Sequence, residues 1–297
     1  MGTVTRLPSL TNIHNIDDAV VQALTKDSYV RVGDISATGL VAPAQATYLM
    51  RKHHDELVFD ISEKVYKWIG TVIHAEIAKV PLPEGGIKEQ RFVTGVDDWE
   101  VSGQIDRWVD GTLTDYKTTS AFQYSKATKG EKPEWEKQLN IYAAILRRNG
   151  YAVDRCQIVV IIRDHSMGRS EQDGYPVAAV QTIEMRCWPP EDADAYLVER
   201  VRAHQFAVNG DFDDCTPEER WAKPDLWAVK KRGGAKALRV FDDDQTAREF
   251  AASAAGLEVE FRPGGSARCQ VWCKAFPFCE QAKAEKAAKA MGYGVEG

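Results

Sequence analysis

The sequence predicts an α/β fold, with helices packed on a central mixed sheet. Three observations predict it. Residues 103–117, GQIDRWVDGTLTDYK, read as a hairpin turning at Asp110-Gly111. Helical apolar stripes flank it at 61–79 and 133–150. The run CQIVVIIR at 156–163 has the composition of a buried central strand. The order helix, strands, helix, strand, strand, helix gives an α/β sandwich.

Residues 1–30 predict a short amphipathic helix after a loose start, with Asp17 and Asp18 in its first turn. Residues 35–60 predict a turn capped by Ser36 or Thr38, then a helix carrying Arg51, Lys52, His53 and His54. Adjacent histidines on a helix point about 100° apart, so His53 and His54 suit a solvated face or a phosphate contact better than one metal. In 61–79, Ile61, Val65, Trp68, Ile69, Val72 and Ile73 form the stripe, while Gly70 and His74 share another face. A mid-helix glycine costs ~1 kcal/mol, and Gly70 is expected to let the helix approach the site closely. His74 fits a ligand or a satisfied core histidine.

Residues 81–108 predict two strands turning near Asp97-Asp98. Glu89, on the first, fits either a metal's outer shell or solvent. Residues 118–132 predict a loop whose Lys126, Lys129 and Lys132 line a DNA path or a solvated surface. Pro133 opens the helix at 133–150, where Gln138 and Tyr142 share a face, and Asn149-Gly150 closes it. Residues 177–187 predict an edge strand, and 189–210 a helix with proline and acids at its start.

The hairpin carries the chemistry. Asp106 lies on its first strand. Asp115 and Lys117, two apart on the second, point to one face. Close carboxylates repel unless a cation lies between them, so the pattern suits a divalent metal site with a lysine beside it. The same residues also suit an ordinary surface hairpin with a salt bridge.

The ordered set GTVIH, GQID, DYK and QLNIY resembles the RecB-type branch of the PD-(D/E)xK nuclease superfamily, over roughly residues 35–165. Isoleucine replaces proline before Asp106, and aspartate replaces glutamate before the lysine. The resemblance implies a restriction-endonuclease-like core with a central mixed sheet flanked by helices, plus a C-terminal cysteine-ligated subdomain. It implies His74, Asp106, Asp115 and the Tyr116 carbonyl as metal ligands for Mg²⁺ or Mn²⁺. It makes Lys117 catalytic with Asp106 and Asp115, and makes Gln138 and Tyr142 positioners of the strand or the lysine.

Three regions follow: an N-terminal helical region (1–60), the nuclease core (61–210), and a C-terminal basic hairpin and metal-cluster region (211–297). In the last, a hairpin turns at Gly233-Gly234 before a helix. Lys230, Lys231, Arg232, Lys236 and Arg239 cluster there without an intervening acid, after Trp221 and Trp227. Basic residues among aromatics suit DNA, and the tryptophans also suit packing. Of six cysteines, Cys156 and Cys187 sit in core-like surroundings. Cys269, Cys273 and Cys279 crowd together, with Cys215 upstream. This is not a paired zinc-ribbon pattern and suits a [4Fe–4S] cluster, with Zn²⁺ as the alternative. CRISPR-associated adaptation nucleases of this branch look similar, although their remote cysteine precedes the nuclease motifs and their first C-terminal gap is two residues.

Net charge is -6, from 38 basic and 44 acidic residues, which argues against a nonspecific DNA coat and allows a local basic groove. The start MGTVTRLPSL lacks a signal pattern, and no apolar run approaches the ~18 residues of a membrane span. The expected location is the cytoplasm, or the host cytoplasm for a phage-encoded protein. The expected function is a metal-dependent DNA exonuclease acting on single- or double-stranded ends, with recombination or replication proteins as partners. The alternatives are a non-catalytic DNA-binding adaptor with a structural iron–sulfur cluster, an RNase, or a purely structural iron–sulfur module.

Overall fold

The computed structural model describes residues 9–26 and 32–290. In chain order the elements are β1 (Ser9–Thr11), α1 (Asp18–Thr25), β2 (Ile35–Ser36), α2 (Ala37–Val41), α3 (Ala44–Lys52), β3 (Val58–Asp60) and α4 (Val65–Ile77). Then come β4 (Ile87–Val96), β5 (Trp99–Val109), β6 (Thr112–Thr119), α5 (Ala121–Thr128), α6 (Pro133–Arg148), β7 (Arg155–Ile162), β8 (Val180–Met185) and α7 (Pro190–Val208). The last are β9 (Ala222–Lys223), β10 (Leu226–Lys231), β11 (Ala237–Phe241), α8 (Asp244–Ala252), β12 (Leu257–Arg262), β13 (Gly265–Ser266) and α9 (Glu280–Ala290). No helix among the described residues is long and apolar enough to cross a membrane.

The chain divides into two compact units. The first takes residues 1–42 and 55–209, the second residues 43–54 and 210–297. The second unit thus draws α3 from what the sequence places in the N-terminal region.

The first unit is a mixed α/β fold consistent with a restriction-endonuclease-like core. Its sheet runs β2-β5-β6-β7-β8, with β4 on β5. β6 and β7 are parallel, and their neighbours β5 and β8 run antiparallel to them. β8 is an edge strand, as expected for 177–187. α6 crosses the sheet with Leu139, Ile141, Ile145 and Leu146 buried. It comes close because β5 carries Gly103, where a Cβ would lie 3.0 Å from the Tyr142 ring.

Three local readings change. Residues 121–128 form a helix rather than a loop, because the Ser120 hydroxyl accepts the Gln123 N–H and caps it. Two of the three lysines of this stretch are paired: Lys126 approaches Glu131, and Lys132 lies 2.6 Å from Glu134. The predicted N-terminal helix shortens to α1, with Asp17 as its cap; residues 1–8 and 27–30 of that reading lie outside the described residues. The α4 stripe is only partly covered, with Trp68 and Val72 exposed.

In the second unit, β11-β10-β12 form an antiparallel sheet. α8 packs on it through Val229, Phe241 and Ala247. Arg220 donates to the Cys215 carbonyl, to Ser266 Oγ and to Glu285 Oε2. The Arg220–Glu285 pair is 13% and 11% exposed, so removing one partner strands the other charge. Arg220→Met is expected to cost about 3–5 kcal/mol, read by urea unfolding.

Candidate active site

Asp110 and Gly111 take φ of 46° and 75°, the left-handed pair of a tight hairpin. This turn sets Arg107 opposite Thr114, where the β5–β6 ladder ends. Two residues on, the Tyr116 N–H donates to Asp106 Oδ2 at 2.8 Å. A carboxylate, not a carbonyl, bridges the two strands there.

β4 adds Glu89. Lys88 faces Arg107 and Gln90 faces Ile105, which leaves Glu89 opposite Asp106. Its φ of 46° is left-handed, a strained state for a non-glycine residue. Gln104 Nε2 donates to Glu89 Oε2 at 2.6 Å, and Arg91 donates to Gln104 Oε1.

His74, from α4, stands 3.5 Å by Nδ1 from both Glu89 Oε1 and Asp106 Oδ1. Its Nε2 lies 3.1 Å from the Tyr116 carbonyl. A carbonyl only accepts, so Nε2 carries a proton and Nδ1 faces the carboxylates. Hydrogen bonds to Asp106 and then Glu89 outweigh burial and push the ring's pKa up to about 10.

Lys117 Nζ lies 3.0 Å from Asp115 Oδ2 and donates to Gln138 Oε1 at 2.9 Å. Gln138 Nε2 in turn donates to the Tyr142 hydroxyl and to Thr38 Oγ1. Burial works against the Lys117 charge, but Asp115 outweighs it and holds the ammonium above its ordinary pKa. Burial raises the Asp115 carboxyl against the pull of Lys117. Asp115 Oδ2 is buried without a well-aligned hydrogen bond.

Among the described residues, His74, Glu89 and Asp106 are the set of three metal donors whose ligand atoms lie within 4.8 Å of one another. One imidazole nitrogen and two carboxylate oxygens fit a divalent cation. Gly70 does not bring α4 close to the sheet: a Cβ there would meet nothing within 4 Å.

The family model of the PD-(D/E)XK nuclease superfamily matches residues 40–280. The chain belongs to that superfamily. Among solved structures it is similar to SSO0001, at 15% identity and a TM-score of 0.44, covering 68% of this chain and 87% of that one. It is also similar to a phage related exonuclease from Haemophilus somnus, at 14% identity and a TM-score of 0.31, covering 65% and 82%. No curated protein matches it.

This nuclease's second unit gathers the other four candidates. Cys215 is pushed up to about 12 by burial, then by Glu219 and by Cys279, Cys269 and Cys273. Its backbone is clamped by Gln281, which accepts the Cys215 N–H at 3.0 Å and donates to its carbonyl at 2.9 Å. Gln45 Oε1 accepts from the Cys215 thiol at 3.0 Å. His53 stacks on Phe278 at 4.0 Å, which leaves it a packing role.

The basic hairpin is less basic than its sequence. Lys230 sits across from β12, paired with Glu258 at 3.7 Å and with Glu260. Lys231, Arg232 and Lys236 are exposed. Sequence reasoning gave neither Thr38, read as a turn cap, nor Gln104, inside GQID, a role at the site: one is placed by the helix that Ser36 caps, the other by the register of β4 on β5.

The two carboxylates give His74 a raised pKa, so its contribution to stability is full below pH 6.5 and fades as pH rises through about 10. A metal needs the Nδ1 lone pair that this proton occupies. At pH 8, Mn²⁺ binding is therefore expected to release about one proton from His74. Calorimetry in two buffers of different ionisation enthalpy reads it, and His74→Ala should abolish the difference.

Proposed function

We propose that this nuclease is a metal-dependent deoxyribonuclease, an exonuclease that hydrolyses phosphodiester bonds at DNA ends in recombination, repair or phage replication. The convergence of His74, Glu89 and Asp106 beside the Asp115–Lys117 pair carries the reading. His74 Nδ1, Glu89 and Asp106 would hold Mg²⁺ or Mn²⁺, with Asp115 and the second lone pair of the Tyr116 carbonyl nearby. Such a cation neutralises charge on the scissile phosphate and lowers the pKa of a bound water.

The chain's own residues do the rest. The Tyr116 carbonyl fixes the His74 tautomer, and the Tyr116 N–H fixes the Asp106 carboxylate. Lys117 keeps its proton and sets a positive charge where the phosphate oxyanion or the attacking water sits. Gln138 holds Lys117 by its carbonyl oxygen and is itself held by Thr38 and Tyr142. The intact donor set favours an enzyme over a non-catalytic adaptor.

Cys215, Cys269, Cys273 and Cys279 are read as ligands of a [4Fe–4S] cluster. Burial first, and then neighbouring thiols, hold Cys215, Cys269 and Cys279 above the ordinary thiol pKa, so these need a cation to ionise them. A cube gives each iron its own thiolate, and the spacing of these cysteines is not the paired pattern of a zinc ribbon. Lys231, Arg232 and Lys236 are read as phosphate contacts, whereas Lys230 serves the charge ladder with β12.

End-labelled linear DNA and closed circular DNA, single- and double-stranded, with Mn²⁺, Mg²⁺ or chelator, test the reading. Loss of label from linear DNA only, and only with metal, is expected; an RNA arm tests the ribonuclease alternative. Asp115→Asn and Lys117→Met should each lower cleavage by at least about a hundredfold, the scale of one lost electrostatic or acid–base group. Each replacement leaves the partner charge unpaired and so costs some stability; circular dichroism and thermal unfolding at the assay temperature separate that cost from the loss of cleavage. Anaerobically purified protein should be brown, with about four irons per chain. Cys269→Ser, Cys273→Ser, Cys279→Ser and Cys215→Ser should each remove the colour, while Cys156→Ser should keep it.

A further inference from the structure

A glycine in the middle of α4 weakens that helix, and no packing requires it. A side chain at Gly70 would meet nothing within 4 Å. The bare position lies one turn before His74, in a cleft of about 830 Å³ that His74, Asp106 and Lys117 also line. Trp68 lines the same cleft at 40% exposure, with Tyr66 beside it at 60%. Lys64 lines it too, and the Arg163 guanidinium lies 3.9 Å over the Tyr66 ring.

We propose that this cleft is a single-strand channel, in which one strand stacks a base on Trp68 and passes its sugar–phosphate backbone over Gly70 to reach the metal donors. The inference rests on the nuclease reading and adds the form in which substrate arrives. The cleft's volume suits a few nucleotides, and stacking on the exposed Trp68 ring requires a base that is not paired within a duplex. Exposed aromatics beside cations are the means by which proteins grip unpaired bases. A chain of net charge -6 has little long-range attraction for nucleic acid, so stacking must supply affinity that charge does not. Glycine is what a close backbone approach requires.

The full chain, with Ca²⁺ in place of Mn²⁺, is titrated against a fluorescein-labelled oligo-dT of about twelve nucleotides and against a duplex of the same length. The single strand should bind at least tenfold more tightly than the duplex. Trp68→Ala should weaken single-strand binding roughly tenfold, the loss of one stacked base. Gly70→Ala should raise Tm, since alanine is the better helix former, and yet weaken oligo-dT binding severalfold; Gly70→Leu should weaken it at least tenfold. The rise in Tm separates a blocked channel from a damaged fold. Oligo-dT binding by Gly70→Leu equal to wild type, or a duplex bound as tightly as the single strand, would overturn the channel. Failure of the wild-type protein to cleave any DNA with Mn²⁺ would instead overturn the proposed function, because the binding readout does not depend on cleavage.

Discussion

Concentrated negative charge is the constraint on which the first unit depends. Glu89, Asp106 and Asp115 converge where β5 and β6 stop pairing, and two cations, His74 and Lys117, stand among them. Without those cations the carboxylates would repel one another in a partly buried space. The surrounding fold answers this repulsion at each position. The Tyr116 backbone gives Asp106 a donor and gives His74 an acceptor. Gln104 supports Glu89, and Gln138 supports Lys117. The two successive peptide groups of one residue thus orient both an acidic and a basic side chain, which ties the geometry of the site to the β6 backbone rather than to flexible side chains.

The second unit meets a different shortage. Its described core around the cysteines is small, with Leu49, Ala275, Cys279 and Ala282 buried. Polar clamps do much of the positioning: Gln281 and Arg220 on the Cys215 backbone, and Glu285 on Ser266. Such clamps fix direction well but contribute only about 1 kcal/mol each. A metal cluster would supply the missing cohesion and ionise Cys215, Cys269 and Cys279, which burial otherwise holds above the ordinary thiol pKa.

Much of this was legible in the sequence, for physical reasons that differ by residue. Asp106, Asp115 and Lys117 could be read because a tight turn and a two-residue period fix the relation between neighbours on a hairpin. Gln138 and Tyr142 could be read because a helical turn brings i and i+4 together. Glu89 reads from sequence as an outer contact or a solvent-facing residue, because its place opposite Asp106 depends on the register of β4 on β5. A role for Thr38 at the site was invisible for a similar reason: its approach to Gln138 crosses 100 residues of chain. Composition misled at 118–132, where Ser, Thr and Lys suggested a loop and a single serine cap made a helix. It misled again at Lys230, whose neutralising glutamates arrive from a strand some thirty residues on.

Gly70 shows how a correct observation can carry the wrong cause. A glycine inside a helix calls for a reason, and close packing is the usual one. Gly103 on β5 has that reason, since the Tyr142 ring fills the space a Cβ would need. Gly70 has open space instead, on the wall that His74 shares. Selection for stability alone would place alanine there, because it propagates the helix better and would collide with nothing in the chain. A position where the protein forgoes that gain beside its metal donors is shaped by something outside the chain. Trp68, apolar and half open on the same wall, has the same explanation: its ring is placed for a surface that arrives with the substrate.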